Sequence, residues 1–294
     1  MGTDSNCLLL YPNNVVTATI SGGNWQPSWP IANIATRFNN QVARSVDCQP
    51  INTIININFG SLVYNTAVAL LNHNLTLQAQ ARVLLYKDAA MSQLAFDSGF
   101  NDVWPRWFDT MGLRWADSNF WYGRIPAKWQ GKVPALFLQL LNTAGFNANA
   151  TSSWTCQIQI SDPNNPAGYI QIGRAFMGED FTPQINMEYG ASVQIVDPSK
   201  VERALSGTKW FNQKPRYRKF IVEFKYLSKD EAVNSLLITD LLAGLTDDVL
   251  YVDNPGDPRF LQQMSCVGTL SELDPLAEWM IGQYSKGLQI EESL

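Results

Sequence analysis

Ile-Asn-Thr-Ile-Ile-Asn-Ile-Asn-Phe, residues 51–59, is the stretch on which the fold reading turns. Its end alternates: Ile55, Ile57 and Phe59 fall on one face, Asn56 and Asn58 on the other. A period of two puts successive side chains on opposite sides of an extended chain, so the stretch predicts a half-buried β-strand. Gly60-Ser61 closes it. Working outward, residues 64–71 and 81–86 are continuous apolar runs suited to central strands. Residues 133–141 and 154–160 follow; in the latter Trp154, Cys156, Ile158 and Ile160 alternate with Thr155, Gln157 and Gln159. Upstream, the β-branched run 15–20 stops at Ser21-Gly22-Gly23. Short strands punctuated by turn residues predict a mainly β sandwich over residues 1–182.

An aromatic-rich insertion, residues 96–130, interrupts this pattern with Trp104, Trp107, Trp115, Trp121 and Trp129 and no sustained period. Near Phe181-Thr182-Pro183 the texture changes, and residues 183–294 read as a second β domain. Its strongest strand is residues 218–226, with Phe220, Val222, Phe224 and Tyr226 on one face. Ser228 and Glu231 then have capping-box spacing, in which each side chain accepts from the other residue's amide. A helix is expected over about residues 229–243, stopped by Gly244, with Ala232, Ser235, Leu236, Thr239 and Leu242 on its packed stripe and Leu237 and Leu241 widening it. The expectation is a small β-sandwich or barrel carrying one helix.

Composition narrows the function classes. Of 294 residues, 46% are hydrophobic but only 16% are charged, below the roughly 25% usual for soluble domains. Such a surface suits a protein covered by partners. A net charge of -5 offers no general attraction for nucleic acid. No apolar run is long enough for a membrane helix, and residues 1–11 lack a signal-peptide pattern, so cytoplasmic synthesis is expected. Four dispersed cysteines, without CxxC spacing, read as buried thiols; no metal and no cofactor are expected.

Candidates for chemistry are few. His73, the single histidine, has no nucleophile motif beside it and reads as a residue that fixes a loop by hydrogen bonding. Asp97, Asp102, Asp109 and Asp117 sit among tryptophans, as paired acids of a glycosidase would, yet irregular spacing cannot set a carboxyl separation. Residues 97–102 offer oxygen ligands for calcium without the EF-hand pattern. Trp104, Trp107, Trp115 and Trp121 are the candidate glycan-stacking residues; the preferred reading of the same aromatics is local packing or a protein interface. The basic cluster at residues 214–219 reads as a charged strand edge. Arg216, Tyr217, Arg218, Phe220 and Phe224 are the candidate interface residues. No enzymatic role is expected.

Three segments carry a resemblance. Residues 54–60 look like the apolar-Asp-Leu-Gly strand of the galactose-binding-like (discoidin-type) jelly roll, residues 67–75 like the strand and turn after it, and residues 158–162 with 169–174 like its closing strands. Together with Leu8-Leu9-Leu10-Tyr11-Pro12-Asn13-Asn14, and with residues 173–179 and 284–292, they resemble minor tail proteins of long-tailed bacteriophages. That resemblance implies a distal-tail or tail-tip component of the virion, assembled in the bacterial host cytoplasm. It implies copies in a ring, a hexamer or trimer, contacting tail tube, hub and other tail-tip proteins, with residues 183–294 as the tube-like module. The alternative is a carbohydrate-binding module for host-surface attachment, although no defined set of sugar ligands can be matched. The insertion at 96–130 lies outside the resemblance.

Overall fold

The computed structural model describes residues 5–38, 41–106, 114–116, 120, 123–124, 135–141, 151–203, 205–257 and 259–293. The chain is mainly β and divides into two compact units. Unit 1 comprises Met1–Thr182 with Val252–Ser265, and unit 2 comprises Pro183–Tyr251 with Cys266–Leu294. Among the described residues, no helix is long and apolar enough to cross a membrane.

In chain order, unit 1 holds β1 (Leu8–Leu10), β2 (Thr19–Ser21), β3 (Ala43–Arg44), β4 (Ile55–Asn65), β5 (Ala67–Leu71), β6 (Gln80–Tyr86) and β7 (Leu94–Asp97). It continues with β8 (Asn101–Asp102), β9 (Leu136–Leu140), β10 (Thr151–Ser161), β11 (Gln171–Ile172), β12 (Arg174–Gly178) and β13 (Asp180–Phe181). One antiparallel sheet runs β2-β4-β10-β6-β7, with β8 also on β6, and a second runs β12-β5-β9. The core lies between them: Ile55 and Ile57 of β4, Val83 and Leu85 of β6, and Cys156, Ile158 and Ile160 of β10 meet Val68, Leu70, Phe137, Ala175 and Met177. Unit 1 is thus a two-sheet jelly-roll sandwich, and the alternation read at residues 55–59 is the inward face of β4. Short segments fasten its rim, with β3 paired to β11 in the register Gln171↔Arg44.

The return of Val252–Ser265 to unit 1 departs from a second domain running unbroken from residue 183. The physical reason is Gln262, fully buried, whose amide acts as a surrogate strand. Its Oε1 accepts from the Leu136 amide at 2.8 Å, and its Nε2 donates to the Leu136 carbonyl at 2.7 Å. Both main-chain groups of Leu136 are thereby satisfied by one side chain.

Unit 2 holds β14 (Ser192–Val196), β15 (Lys200–Arg203), β16 (Lys209–Asn212), β17 (Tyr217–Leu227), a π-helical segment (Glu231–Leu237), α1 (Ile238–Ala243), β18 (Asp248–Val252), β19 (Ser265–Glu272), β20 (Ala277–Met280) and β21 (Gln283–Glu292). Its sheet runs β18-β19-β21-β17-β14, with β20 on β21, while β15 and β16 form a separate ribbon. On β17, Phe220, Val222 and Phe224 are buried as the alternation requires. Tyr226 is not. The register against β21 shifts between Phe224 and Leu227, and that irregularity moves the inward position to Leu227.

The capping box forms. The Ser228 amide and hydroxyl both donate to Glu231 Oε2, at 2.9 and 2.7 Å, and the Glu231 amide donates to Ser228 Oγ at 3.3 Å. Gly244 ends the helix at φ 55°, a left-handed backbone that suits glycine. The packed stripe differs from the expected one. Ala232, Leu236, Thr239 and Ala243 are buried, whereas Leu237, Leu241 and Leu242 are exposed. The π-helical turns before α1 change the angular step per residue, so spacing counted at 3.6 residues per turn drifts out of phase.

Candidate functional site

Two surfaces stand out once the cores are set aside. The first is in unit 2. In the β15–β16 ribbon, Val201 faces Phe211 and Glu202 faces Trp210 across the strands. Directly opposed residues share a face and neighbours along a strand point oppositely, so Phe211 and Trp210 lie on opposite faces. Both are open to solvent, at 64% and 67% exposure. At the ribbon's turn Leu205 is fully exposed. Ile195 on the neighbouring edge strand β14 is also exposed. A further exposed apolar stretch of unit 2 is the outer side of the helix, with Leu237, Ile238, Leu241 and Leu242. Apolar residues clustered in this way mark interaction surfaces, whereas scattered single ones do not.

The second surface is on unit 1, built around Arg44. The β3–β11 pairing sets Gln171 beside it, and Arg44 Nε donates to Gln171 Oε1 at 2.9 Å. The loop before β3 is tied to the same residue: the Arg44 amide donates to the Trp29 carbonyl at 3.0 Å, and the Gln26 amide to the Arg44 carbonyl at 2.9 Å. The guanidinium carbon consequently lies 4.5 Å from the Trp29 ring centroid and 5.0 Å from that of Tyr169. Both are within the range of cation–π attraction. All three side chains are half-buried.

The residues singled out from sequence are distributed otherwise. Trp104 is 4% exposed, packed in the unit 1 core, and its indole donates to the Leu75 carbonyl at 2.9 Å. It therefore has no face to offer a sugar. Trp115 is 80% exposed. Trp107 and Trp121, like Asp109 and Asp117, lie outside the described residues. Phe220 and Phe224 are buried in unit 2, so neither presents an outer surface. The basic cluster is not at a sheet edge, because β17 lies between β21 and β14. Three of its four charges are matched at home: Arg216 pairs with Asp197 at 2.7 Å, Arg218 with Glu292 at 2.5 Å and Lys219 with Glu291 at 3.5 Å. Tyr217 is half-buried at the start of β17.

His73 is not a hydrogen-bonding loop anchor among the described residues. Neither ring nitrogen has a partner there, and the ring packs edge-on against Trp104 with centroids 5.4 Å apart. Burial lowers its pKa to about 3, so it is a neutral core residue. The Asp97–Asp102 stretch belongs to β7, β8 and the turn between them. Asp97 binds Arg82 through both oxygens and accepts from the Gly99 amide, which holds its pKa down to about 2. Asp102 pairs with Arg124 at 2.6 Å. Both acids thus already face cations, which disfavours calcium at either, and the lowered pKa of Asp97 disfavours a protonated catalytic acid there. The four cysteines are free and buried. Burial raises the Cys7 thiol to about 12 and pushes Cys156 and Cys266 upward as well. A cavity of about 310 Å³ lies within the 252–265 segment, lined by Asp253, Asn254, Asp257, Phe260, Leu261, Met264 and Ser265. Its Asp257 is engaged by Arg259, so the acid is already compensated.

Sequence reading missed both surfaces. One signal for the ribbon was present: Trp210 and Phe211 are adjacent, and a strand cannot bury adjacent residues on one face. The Arg44 arrangement had no such signal, since its components are Trp29, Tyr169 and Gln171.

No protein-family model matches the chain, and no curated protein matches it. Solved structures do. The lectin domain of lectinolysin complexed with Lewis B antigen aligns with 57% of this chain and 96% of its own, at 10% identity and a TM-score of 0.36. The family 32 carbohydrate-binding module of C. perfringens NanJ, in complex with galactose, aligns with 58% of this chain and 99% of its own, at 9% identity and a TM-score of 0.36. The chitosan-binding module 1 from a chitosanase/glucanase of Paenibacillus sp. IK-5 aligns with 57% and 100%, at 7% identity and a TM-score of 0.35.

Proposed function

We propose that this chain is a structural assembly protein whose unit 2 surface is covered by further subunits, and that it serves in the tail tip of a long-tailed bacteriophage between tail tube and hub or fibres. One observation carries the assembly reading: the β15–β16 ribbon has large apolar side chains exposed on both faces. A two-stranded ribbon without a covered face is marginal in water, so it gains its order from a partner. Charge supports a contact between unlike surfaces of successive copies. The ribbon carries Lys200, Arg203 and Lys209 against Glu202, whereas exposed Asp230 and Asp247 flank the apolar helix face. Two different patches that fit one another make a heterologous contact, which closes into a ring when the rotation permits. The phage assignment rests on the sequence resemblance.

Native mass spectrometry of the full chain, with proteomics of purified particles, tests this reading. A closed oligomer is expected, reduced to monomer by Trp210→Ser with Phe211→Ser. A strict monomer absent from particles would overturn it.

A second reading concerns unit 1: recognition of a surface glycan. The observation that favours it is the half-exposed Trp29–Arg44–Tyr169 arrangement, a rigid aromatic and cationic group on a jelly-roll rim. A glycan array probed with the full chain tests it; binding to no glycan would remove it.

A further inference from the structure

The charge on Arg44 has no carboxylate facing it among the described residues. Arg82, Arg124, Arg216, Arg218 and Arg259 each face a carboxylate within 2.7 Å. Arg44 faces none among the described residues; its single side-chain hydrogen bond goes from Nε to Gln171 Oε1. The four N–H donors of Nη1 and Nη2 have no partner among the described residues, and they form the end-on fork of the guanidinium.

Three constraints fix that fork. The Gln171 bond stops rotation about the terminal bonds. The rings of Trp29 and Tyr169 lie over the guanidinium at 4.5 and 5.0 Å. Main-chain hydrogen bonds hold the Trp29 loop and β11 to Arg44 and its neighbour Ser45. The remaining donors lie in the guanidinium plane, so a ligand that uses them approaches along that plane. In that plane a carboxylate, flat and with two oxygens, fits bidentately, and the bond is charge-assisted. A neutral hydroxyl would use one donor and leave the charge unmatched.

The surroundings narrow the ligand further. The Tyr169 hydroxyl and the Gln171 side-chain NH2 have no hydrogen-bond partner among the described residues. These neutral groups border one cation. A sugar ring with one carboxylate among several hydroxyls matches that set, whereas a glutamate side chain brings a carboxylate with no hydroxyls beside it.

We infer that Arg44, packed against Trp29 and Tyr169, is the anion-recognising centre of a unit 1 site for carboxylate-bearing saccharides of the uronic-acid class. This rests on the glycan reading of unit 1 and names its ligand class.

Titration calorimetry of the full chain against trigalacturonate, its methyl ester and hexaglutamate tests the inference. Trigalacturonate is expected to bind, and the ester, which has the same rings without the charge, at least about tenfold more weakly. Arg44→Lys keeps the charge but loses the planar fork, and should weaken trigalacturonate by a similar factor while leaving the ester unchanged. Should Arg44→Lys not fold, the acid-to-ester ratio on the unaltered chain decides alone, and Gln171→Leu, which frees the fork, should reduce it. Equal binding of acid and ester, or array binding to neutral glycans alone, overturns the carboxylate assignment and leaves the glycan reading standing. Hexaglutamate binding as tightly as trigalacturonate overturns the saccharide class. Binding to neither trigalacturonate nor any arrayed glycan removes both the assignment and the reading beneath it.

Discussion

The two units dispose of their apolar side chains differently. In unit 1 the strands of both sheets turn their apolar residues toward each other, and the core is closed within one unit. In unit 2 the inward positions of β17 and β21 are equally buried, yet Ile195, Trp210, Phe211, Leu241 and Ile281 remain open to water. Unit 1 exposes apolar side chains too, among them Ile51, Leu62 and Trp115, but its two sheets enclose a common core, whereas the separate β15–β16 ribbon of unit 2 has large apolar groups exposed on both faces. The lesson is that apolar content measures burial only where an opposing layer exists. Where none does, it measures a capacity for association.

That contrast can be broken or sharpened by substitution. The largest effect is expected at Ile158, fully buried between the sheets of unit 1: Ile158→Ala should cost about 2–5 kcal/mol, read as a lower urea midpoint. Gln262→Ala comes next. It strips both partners from the buried main-chain groups of Leu136 and should cost about 2 kcal/mol, with hydrogen exchange at Leu136 accelerated. In unit 2, Ser228→Ala removes the capping hydroxyl and should cost about 1 kcal/mol in the same urea titration.

The Arg82–Asp97 pair contributes less, being open to solvent. Its sign with pH is definite. Asp97 has a folded pKa of about 2, below the roughly 3.9 of an unfolded aspartate, so its contribution is complete above that value. It is lost as pH falls from about 4 toward 2, and Asp97→Asn should flatten the acid limb of stability over that window. Smallest is the ribbon. Trp210→Ser with Phe211→Ser should leave the urea midpoint of the separated chain within about 0.5 kcal/mol of its original stability, while abolishing self-association in sedimentation. If the ribbon change destabilised the separated chain as much as Ile158→Ala does, the contrast between the units would fail.

Much of the fold was legible in residue order. The alternation at residues 55–59 identified β4 and its inward face, and the Ser228–Glu231 spacing located the helix start, because both depend on neighbours a few residues apart. The candidate sites were less legible. Tryptophan spacing does not distinguish a buried ring from an exposed one, and Trp104 turned out to be core. Phe220 and Phe224 carried the best strand pattern in the chain, and a good strand pattern is itself a mark of burial.

By itself the sequence determined what local geometry dictates: β4, the inward positions of β17 as far as Phe224, and the capped helix start. Tertiary structure alone decided which unit holds Val252–Ser265, where β17 changes phase, which helix face is covered, and that Arg44 meets Gln171 across 127 positions of sequence. The reason is physical. Periodicity and caps report interactions within one or two turns of chain, whereas registers, surrogate-strand side chains and cation–aromatic stacks exist only after distant segments have been brought together.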